Sequence, residues 1–301
     1  MVGAEKQTAQ AAKGRTNVLP FVLVGAGPGK ALLAVIAVAA YLDSVRCRRV
    51  TKRSEPIFNL PPAVVATAAA LIGIHALRAL VLTEDQDAQF LLTFAFIPER
   101  YDIDLVAGGA FPGGFGADLW TFFTYAFLHA DLLHIGLNLA WLLPFGAALA
   151  RRFGTWRYTA FMLVVAAAGA FAHLISHPGA MVPMIGASAA ISGAMAAAMR
   201  FIFQPHGPIE LWREGIGDGA AYRVPAVPLL ATLRDMRFLL FLGVWIGLNA
   251  LFGLGTISLA GQDGQEIAWQ AHIGGFFAGL LLFTAFDPVA PPRALDSEAR
   301  N

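Results

Sequence analysis

Charge is scarce in this chain, and cysteine is nearly absent. Asp, Glu, Lys and Arg make up 14% of the 301 residues, where a soluble domain carries about 25%. Together with 57% hydrophobic residues and a mean hydropathy of +0.62, the deficit places the chain in the membrane class. The formal net charge is +1, which leaves no electrostatic case for nucleic acid as a partner. The single cysteine, Cys47, sits among arginines. A disulfide within the chain is therefore excluded, and a cysteine-based metal site is implausible. Carboxylates are missing from the interiors of the apolar runs: Asp and Glu are confined to loops, span ends and termini. A transporter would more often hold them deep within its spans. No ordinary secretory signal is expected. Lys6, Lys13 and Arg15 precede an apolar stretch, but Gly25-Ala26-Gly27-Pro28-Gly29-Lys30 interrupts it. No small-residue cleavage site ends it before the basic run from Arg46 to Arg53.

The chain does contain long apolar runs. Six spans are expected, with boundaries good to a few residues: Pro62 to Leu82, Ala126 or slightly later to Ala150, Tyr158 to Ile175, Ile185 to Phe203, Phe238 to Leu259, and Ala268 to Phe286. Each has roughly the 18–25 residues needed to cross a hydrocarbon core about 30 Å thick. An earlier segment, Val18 to Leu42, is long enough to cross only if it is kinked at Gly27-Pro28-Gly29. Arg46, Arg48, Arg49, Lys52 and Arg53 precede the first span, Arg151, Arg152 and Arg157 link the second to the third, and Arg213, Arg223, Arg234 and Arg237 lie between the fourth and fifth. The opposite loops, Thr83–Ala117, Ser176–Pro183 and Ala260–Glu266, hold one arginine, Arg100. The positive-inside rule then puts both ends of the six-span core in the cytoplasm. An integral, multi-pass protein of a bacterial inner (cell) membrane is expected. The first outer loop is long and carries Pro112-Gly113-Gly114; long ordered loops are usually functional.

Polar residues inside three of these spans carry the chemistry. Ser188 opens the fourth, His272 lies near the start of the sixth, and His134 and Asn138 lie on the second. All three spans run from outside to inside. Arg151 follows His134 by 17 positions, Arg200 follows Ser188 by 12, and Asp287 follows His272 by 15. At 1.5 Å per residue each group lies roughly 18–26 Å from the inner boundary. Polar groups at such a shared depth should face one another or a watery cavity. Small residues fit the same picture: Gly186 and Gly193 mark the fourth span, and Gly275 and Gly279 form a G-x-x-x-G on the sixth, so the helix backbones can approach closely. Ser188 is then a candidate nucleophile and His272 its base. Taken alone, Ser188 would more often be a helix serine bonded to its own i−4 carbonyl. His134 and Asn138, four apart on one face, are candidate donors to an oxyanion, or a structural link between helices. His129 is expected to hold the start of the second span. His173 and His177 have i, i+4 spacing, but no acid accompanies them and no His-Glu-x-x-His is present, so no metal is assigned. No cofactor is expected.

The residues Gly186-Ala187-Ser188, Ala271-His272…Gly275…Gly279 and His129…His134…Asn138 resemble the motifs of the rhomboid family of intramembrane serine proteases. The likeness covers about residues 56–287. Ala189 stands where many members have glycine, and Ser192 where some have an aromatic. The resemblance implies an all-α, polytopic six-helix core at 55–288, preceded by an extension over 1–54 and followed by a polar tail over 289–301. It implies a Ser188–His272 dyad without a third acid, and an oxyanion hole from the His134 and Asn138 side chains with the Ser188 backbone N–H. It also implies transmembrane protein substrates in the lipid bilayer, cleaved near a small residue at the outer surface. The rival class is a non-proteolytic membrane-protein binder with the same fold. Such relatives typically lack the serine or the histidine, and both are present here.

Overall fold

The computed structural model describes residues 60–102, 111–213, 219–253 and 268–290. The segment Val18–Leu42, Cys47, the loop Ala260–Glu266 and residues 291–301 lie outside them. Among the described residues all regular structure is helical, and β pairing is limited to one isolated bridge between Phe96 and Met184. In chain order the described α-helices longer than four residues are α1 (Pro62–Leu80), α2 (Glu84–Phe94), α3 (Gly114–Thr124), α4 (Leu132–Phe153), α5 (Thr155–Ser176), α6 (Ser188–Ala198), α7 (Pro208–Arg213), α8 (Met236–Gly253) and α9 (Trp269–Phe286). Helices α1, α4, α5 and α9 are each long and apolar enough to cross a membrane, and α6 and α8 contribute shorter apolar helices. The fold is that of a polytopic helical membrane protein.

The ends of these helices follow local chemistry. A proline occupies the first turn of α1, where its missing N–H costs nothing. Thr83 and Gln86 form a reciprocal capping box at α2, followed by Glu84, Asp85 and Asp87 in the first turn, which suits the positive end of the helix dipole. Asp131 caps α4 by accepting the His134 backbone N–H at 2.7 Å. Pro144 lies inside α4. The helix absorbs it with a π-type turn over Leu142–Gly146, which accommodates the lost hydrogen bond and the ring without ending the helix.

Two expected boundaries differ from those observed. The second span begins at Leu132 rather than Ala126, because the chain first forms α3 and a 3-10 turn over Tyr125–Phe127. The fourth span, expected from Ile185 to Phe203, is helical only over Ser188–Ala198. Gly186 has φ 116°, which no right-handed helix admits, so the helix cannot start earlier. Eleven residues reach about 16 Å, half the thickness of the hydrocarbon core. This short helix is the centre of the bundle: Ala189 through Ala198 are all buried. Helix α9 packs mainly on α6 and α5. Trp245 of α8 stacks on Phe276 of α9 at 4.4 Å.

The long first loop is largely structured. Arg78 pairs with Asp87 at 2.7 Å and donates to the His129 carbonyl at 2.8 Å. It is therefore the backbone of His129 that is tied here. Trp120 Nε1 donates to the Thr93 carbonyl at 3.0 Å, and Thr124 Oγ1 to that of Phe94 at 2.7 Å. The Phe96–Met184 bridge, with N–H to O distances of 3.1 and 2.8 Å, joins this loop to the segment that leads into α6. Gly186 N–H then donates to the Tyr125 carbonyl at 3.0 Å, and Tyr125 Oη donates to the Ala166 carbonyl of α5 at 2.8 Å.

Arg152, one of the basic residues counted in the connector after the second span, also has a structural place. Its side chain is fully buried and forms a two-pronged pair with Asp287 at 2.9 and 2.8 Å. Its remaining donors reach the carbonyls of Tyr222 and Val224, both at 2.9 Å. The pair joins the end of α4 to the end of α9. Breaking a buried, hydrogen-bonded pair by removing one partner costs about 3–5 kcal/mol. Asp287→Ala should therefore lower the midpoint of thermal unfolding in detergent markedly. Asp235→Ala, whose partner Arg237 has a 53% exposed side chain, should cost less than about 1 kcal/mol. Equal shifts for the two variants would contradict a structural role for Arg152.

Candidate active site

The site begins with an approach between two helix backbones. A Cβ placed on Gly275 would collide with the Ala189 carbonyl, and one on Gly279 with the backbone of Gly193. A Cβ on Gly193 would in turn lie 2.6 Å from the Gly275 carbonyl. Along this seam α6 and α9 touch main chain to main chain, a distance only glycine allows. Helix α5 closes the third side. A Cβ on Gly169 would lie 2.6 Å from that of Ala189 and 3.1 Å from the Ala271 carbonyl, and one on Gly274 would collide with the Ala172 side chain and crowd the Ala168 carbonyl.

That seam puts Ser188, the first residue of α6, beside His272, in the first turn of α9. Ser188 Oγ and His272 Nε2 are 2.7 Å apart. The other ring nitrogen, Nδ1, lies 2.7 Å from Oδ1 of Asn249 on α8. Asn249 Nδ2 donates to the Trp245 carbonyl, one turn earlier, at 2.7 Å. A carbonyl can only accept, so this bond fixes which end of the amide faces His272. Oδ1 then accepts from Nδ1–H, and Nε2 presents its lone pair to the serine hydroxyl. Burial and hydrogen bonding thus select the tautomer that can take a proton from Ser188.

The second group lies on α4. The Ala130 backbone N–H points at His134 Nδ1 at 3.4 Å, which leaves Nε2 to carry the ring proton. A Cβ on Gly186 would sit 2.7 Å from that Nε2 and 3.6 Å from Ser188 Oγ, so the His134 donor borders the serine. Asn138 is buried and donates through Nδ2 to the His134 carbonyl at 2.9 Å, with its second amide hydrogen uncommitted. Ser188 adds its own backbone N–H, which at the first position of a helix has no intrahelical acceptor. The His134 donor and the Ser188 N–H thus stand beside one hydroxyl at the positive end of a helix dipole, while Asn138 is tied back to its own helix. His129 packs against His134, ring centroids 5.0 Å apart. The rings of His173 and His177 are 4.4 Å apart, and His177 Nδ1 meets Ser176 Oγ at 2.9 Å. Among the described residues no three metal-ligating side chains come together.

Sequence reasoning missed Asn249, Gly169 and Gly274. Asn249 did leave a signal, being a lone amide in an otherwise apolar span, where polar residues mark function. Gly169 was embedded in a run of alanines, and only the packing singles it out.

A helical, polytopic membrane protein with a serine and a histidine in contact inside the bundle is the class these features define. The chain belongs to the Rhomboid family: residues 116–287, more than half of its length, match the Rhomboid domain. It is also similar to Rhomboid-like protease 3 of Toxoplasma gondii, with 29% identity over 116 residues, or 38% of this chain and 43% of that protein. The match therefore spans less than half of the relative.

Gly186 combines two demands, a left-handed backbone at φ 116° and a space that a methyl group would fill. Gly114 also has positive φ, at 52°, but nothing lies within 4 Å of its Cβ position. Strain of this kind costs about 1–3 kcal/mol. Gly186→Ala should lower the thermal midpoint in detergent clearly more than Gly114→Ala, because it also displaces the His134 ring. A smaller effect at Gly186 would contradict the described contact.

Proposed function

We propose that the protein is an intramembrane serine endopeptidase that hydrolyses peptide bonds in or near transmembrane segments of membrane proteins. The 2.7 Å contact between Ser188 Oγ and His272 Nε2, inside a bundle of apolar helices, carries the proposal. The Rhomboid match and the likeness to a protein called a rhomboid-like protease support it.

In this reading Ser188 Oγ attacks the scissile carbonyl carbon while His272 Nε2 takes its proton. The carbonyl oxygen becomes an oxyanion, held by the Ser188 N–H, His134 Nε2–H and the free hydrogen of Asn138 Nδ2. The intermediate collapses as the imidazolium protonates the leaving amine. A water, deprotonated by the same nitrogen, then attacks the acyl-enzyme and releases the acid. Ser188 and its N–H lie at the start of a helix too short to cross the bilayer, which supports a site below the outer surface. A substrate helix must unwind to present its amide there. Small or helix-breaking residues at the cleavage point suit that demand. The basic connectors support cytoplasmic ends for the six-span core, and the core is assigned to residues 55–288.

The test is cleavage of a panel of single-span reporter proteins by purified wild type and variants in detergent. Ser188→Ala and His272→Ala should each abolish cleavage, and the double variant should be no worse than either, because the two act as a unit. Asn138→Ala should lower kcat by about 100–1000-fold with little change in KM. A folded Ser188→Ala protein that still cleaves would refute the assignment. A wild type that binds reporters without cutting any would favour the non-proteolytic binder.

A further inference from the structure

The sequence and the family motifs give the site two helices for proton transfer, α6 and α9. The geometry points to a third. We propose that Asn249 on α8 is a positioning residue: its side-chain carbonyl holds His272 in the tautomer and orientation in which Nε2 can accept the Ser188 proton. This inference rests on the protease reading above and names a further member of the same site.

Four observations carry it. His272 Nδ1 and Asn249 Oδ1 are 2.7 Å apart. The Asn249 amide cannot turn freely, because Nδ2 is bound to the Trp245 carbonyl at 2.7 Å. Trp245 is itself buried and stacked on Phe276 of α9, one turn beyond His272, at 4.4 Å. At the far end of α8 a Cβ on Gly253 would collide with Trp269, so α8 and the start of α9 approach closely at the level of the histidine. The rigid parts thus form a closed circuit: α9 carries His272 and Phe276, Phe276 holds Trp245, Trp245 holds Asn249, and Asn249 holds His272.

The chemistry needs such an anchor. An imidazole whose Nδ1 is unpartnered can carry its proton on either nitrogen, and the wrong tautomer presents N–H instead of a lone pair to the serine. A neutral amide oxygen suffices to select the right one, as in cysteine proteases that use Cys-His-Asn. An amide also avoids burying a second charge within the bilayer, where a carboxylate would be costly.

Asn249→Leu and Asn249→Asp in the full-length chain separate positioning from packing. Leucine keeps the branched shape, with somewhat more bulk, but offers no acceptor. Protonated aspartate matches asparagine in shape: one oxygen accepts from His272 Nδ1–H and its O–H donates to the Trp245 carbonyl. Two readouts are compared: reporter cleavage, resolved into kcat and KM, and the rate at which a fluorophosphonate labels Ser188, which needs no substrate helix. Thermal unfolding checks that each variant is folded. Leucine should lower kcat and the labelling rate together by about 100-fold, the scale of lost general-base assistance, with KM within threefold of wild type. Aspartate should recover at least a tenth of the wild-type labelling rate. The proposal is overturned if folded Asn249→Leu labels within threefold of wild type, if only KM changes, or if aspartate falls as far as leucine. Wild type that neither labels at Ser188 nor cleaves any reporter overturns the protease reading and this inference with it. Normal wild-type labelling with an unaffected leucine variant overturns the inference alone.

Discussion

Everything in the site depends on one contact, the seam where the backbones of α6 and α9 meet without side chains between them. Gly193, Gly275 and Gly279 form it, and Gly169 and Gly274 let α5 close against the same two helices. Within lipid no hydrophobic effect drives helices together, so close packing itself must hold them. The same closeness brings a short serine side chain on one helix within hydrogen-bond reach of a histidine on another. A wider crossing would keep both residues yet lose their contact.

The position of α6 along the membrane normal is a second constraint. The helix is half the length a span requires, so the chain must enter the bundle in extended form before it. That extended segment would leave backbone groups unsatisfied in a buried setting. The long loop between α1 and α4 supplies partners through the Phe96–Met184 bridge, and Tyr125 supplies another through its carbonyl. The long loop is therefore part of the candidate site's scaffold: it fixes the path of residues 180–187 and so the place where the helix and its serine begin. At the opposite end, the buried Arg152–Asp287 pair ties α4, which carries His134 and Asn138, to α9, which carries His272. The two groups of the site are thus linked across the full height of the bundle.

Much of this was legible in the sequence, for physical reasons. Apolar length marks spans, so the all-helical, multi-span architecture follows from composition and periodicity. Small residues at G-x-x-x-G spacing announced close packing on α9. Depth counted from the inner charges put Ser188, His272 and His134 on one level, and the structure brings Ser188 and His272 into contact and His134 beside them. What the sequence hid was what depends on three dimensions. Hydropathy continues smoothly through Ile185 and Phe203, so it could not reveal that the fourth helix covers only the middle of that run; a backbone angle at Gly186 decides its start. Arg152 reads like its neighbours Arg151 and Arg157 until its partner, 135 positions away, is known. Asn249 was visible as a letter, but its meaning lay in an atom of another helix.

The most direct test of the central claim is the fluorophosphonate labelling rate of Ser188 in Gly275→Val, read by intact mass and peptide mapping in detergent. The substitution alters no group that reacts; it only forces α9 away from the Ala189 carbonyl. Gly73→Ala is the control, since nothing lies within 4 Å of that Cβ position. A displacement of about 1 Å can cost on the order of 100-fold. The account predicts that Gly275→Val, still helical and monodisperse, labels at least about tenfold more slowly than wild type, while Gly73→Ala labels normally. A Gly275→Val protein that labels Ser188 at the wild-type rate would contradict it.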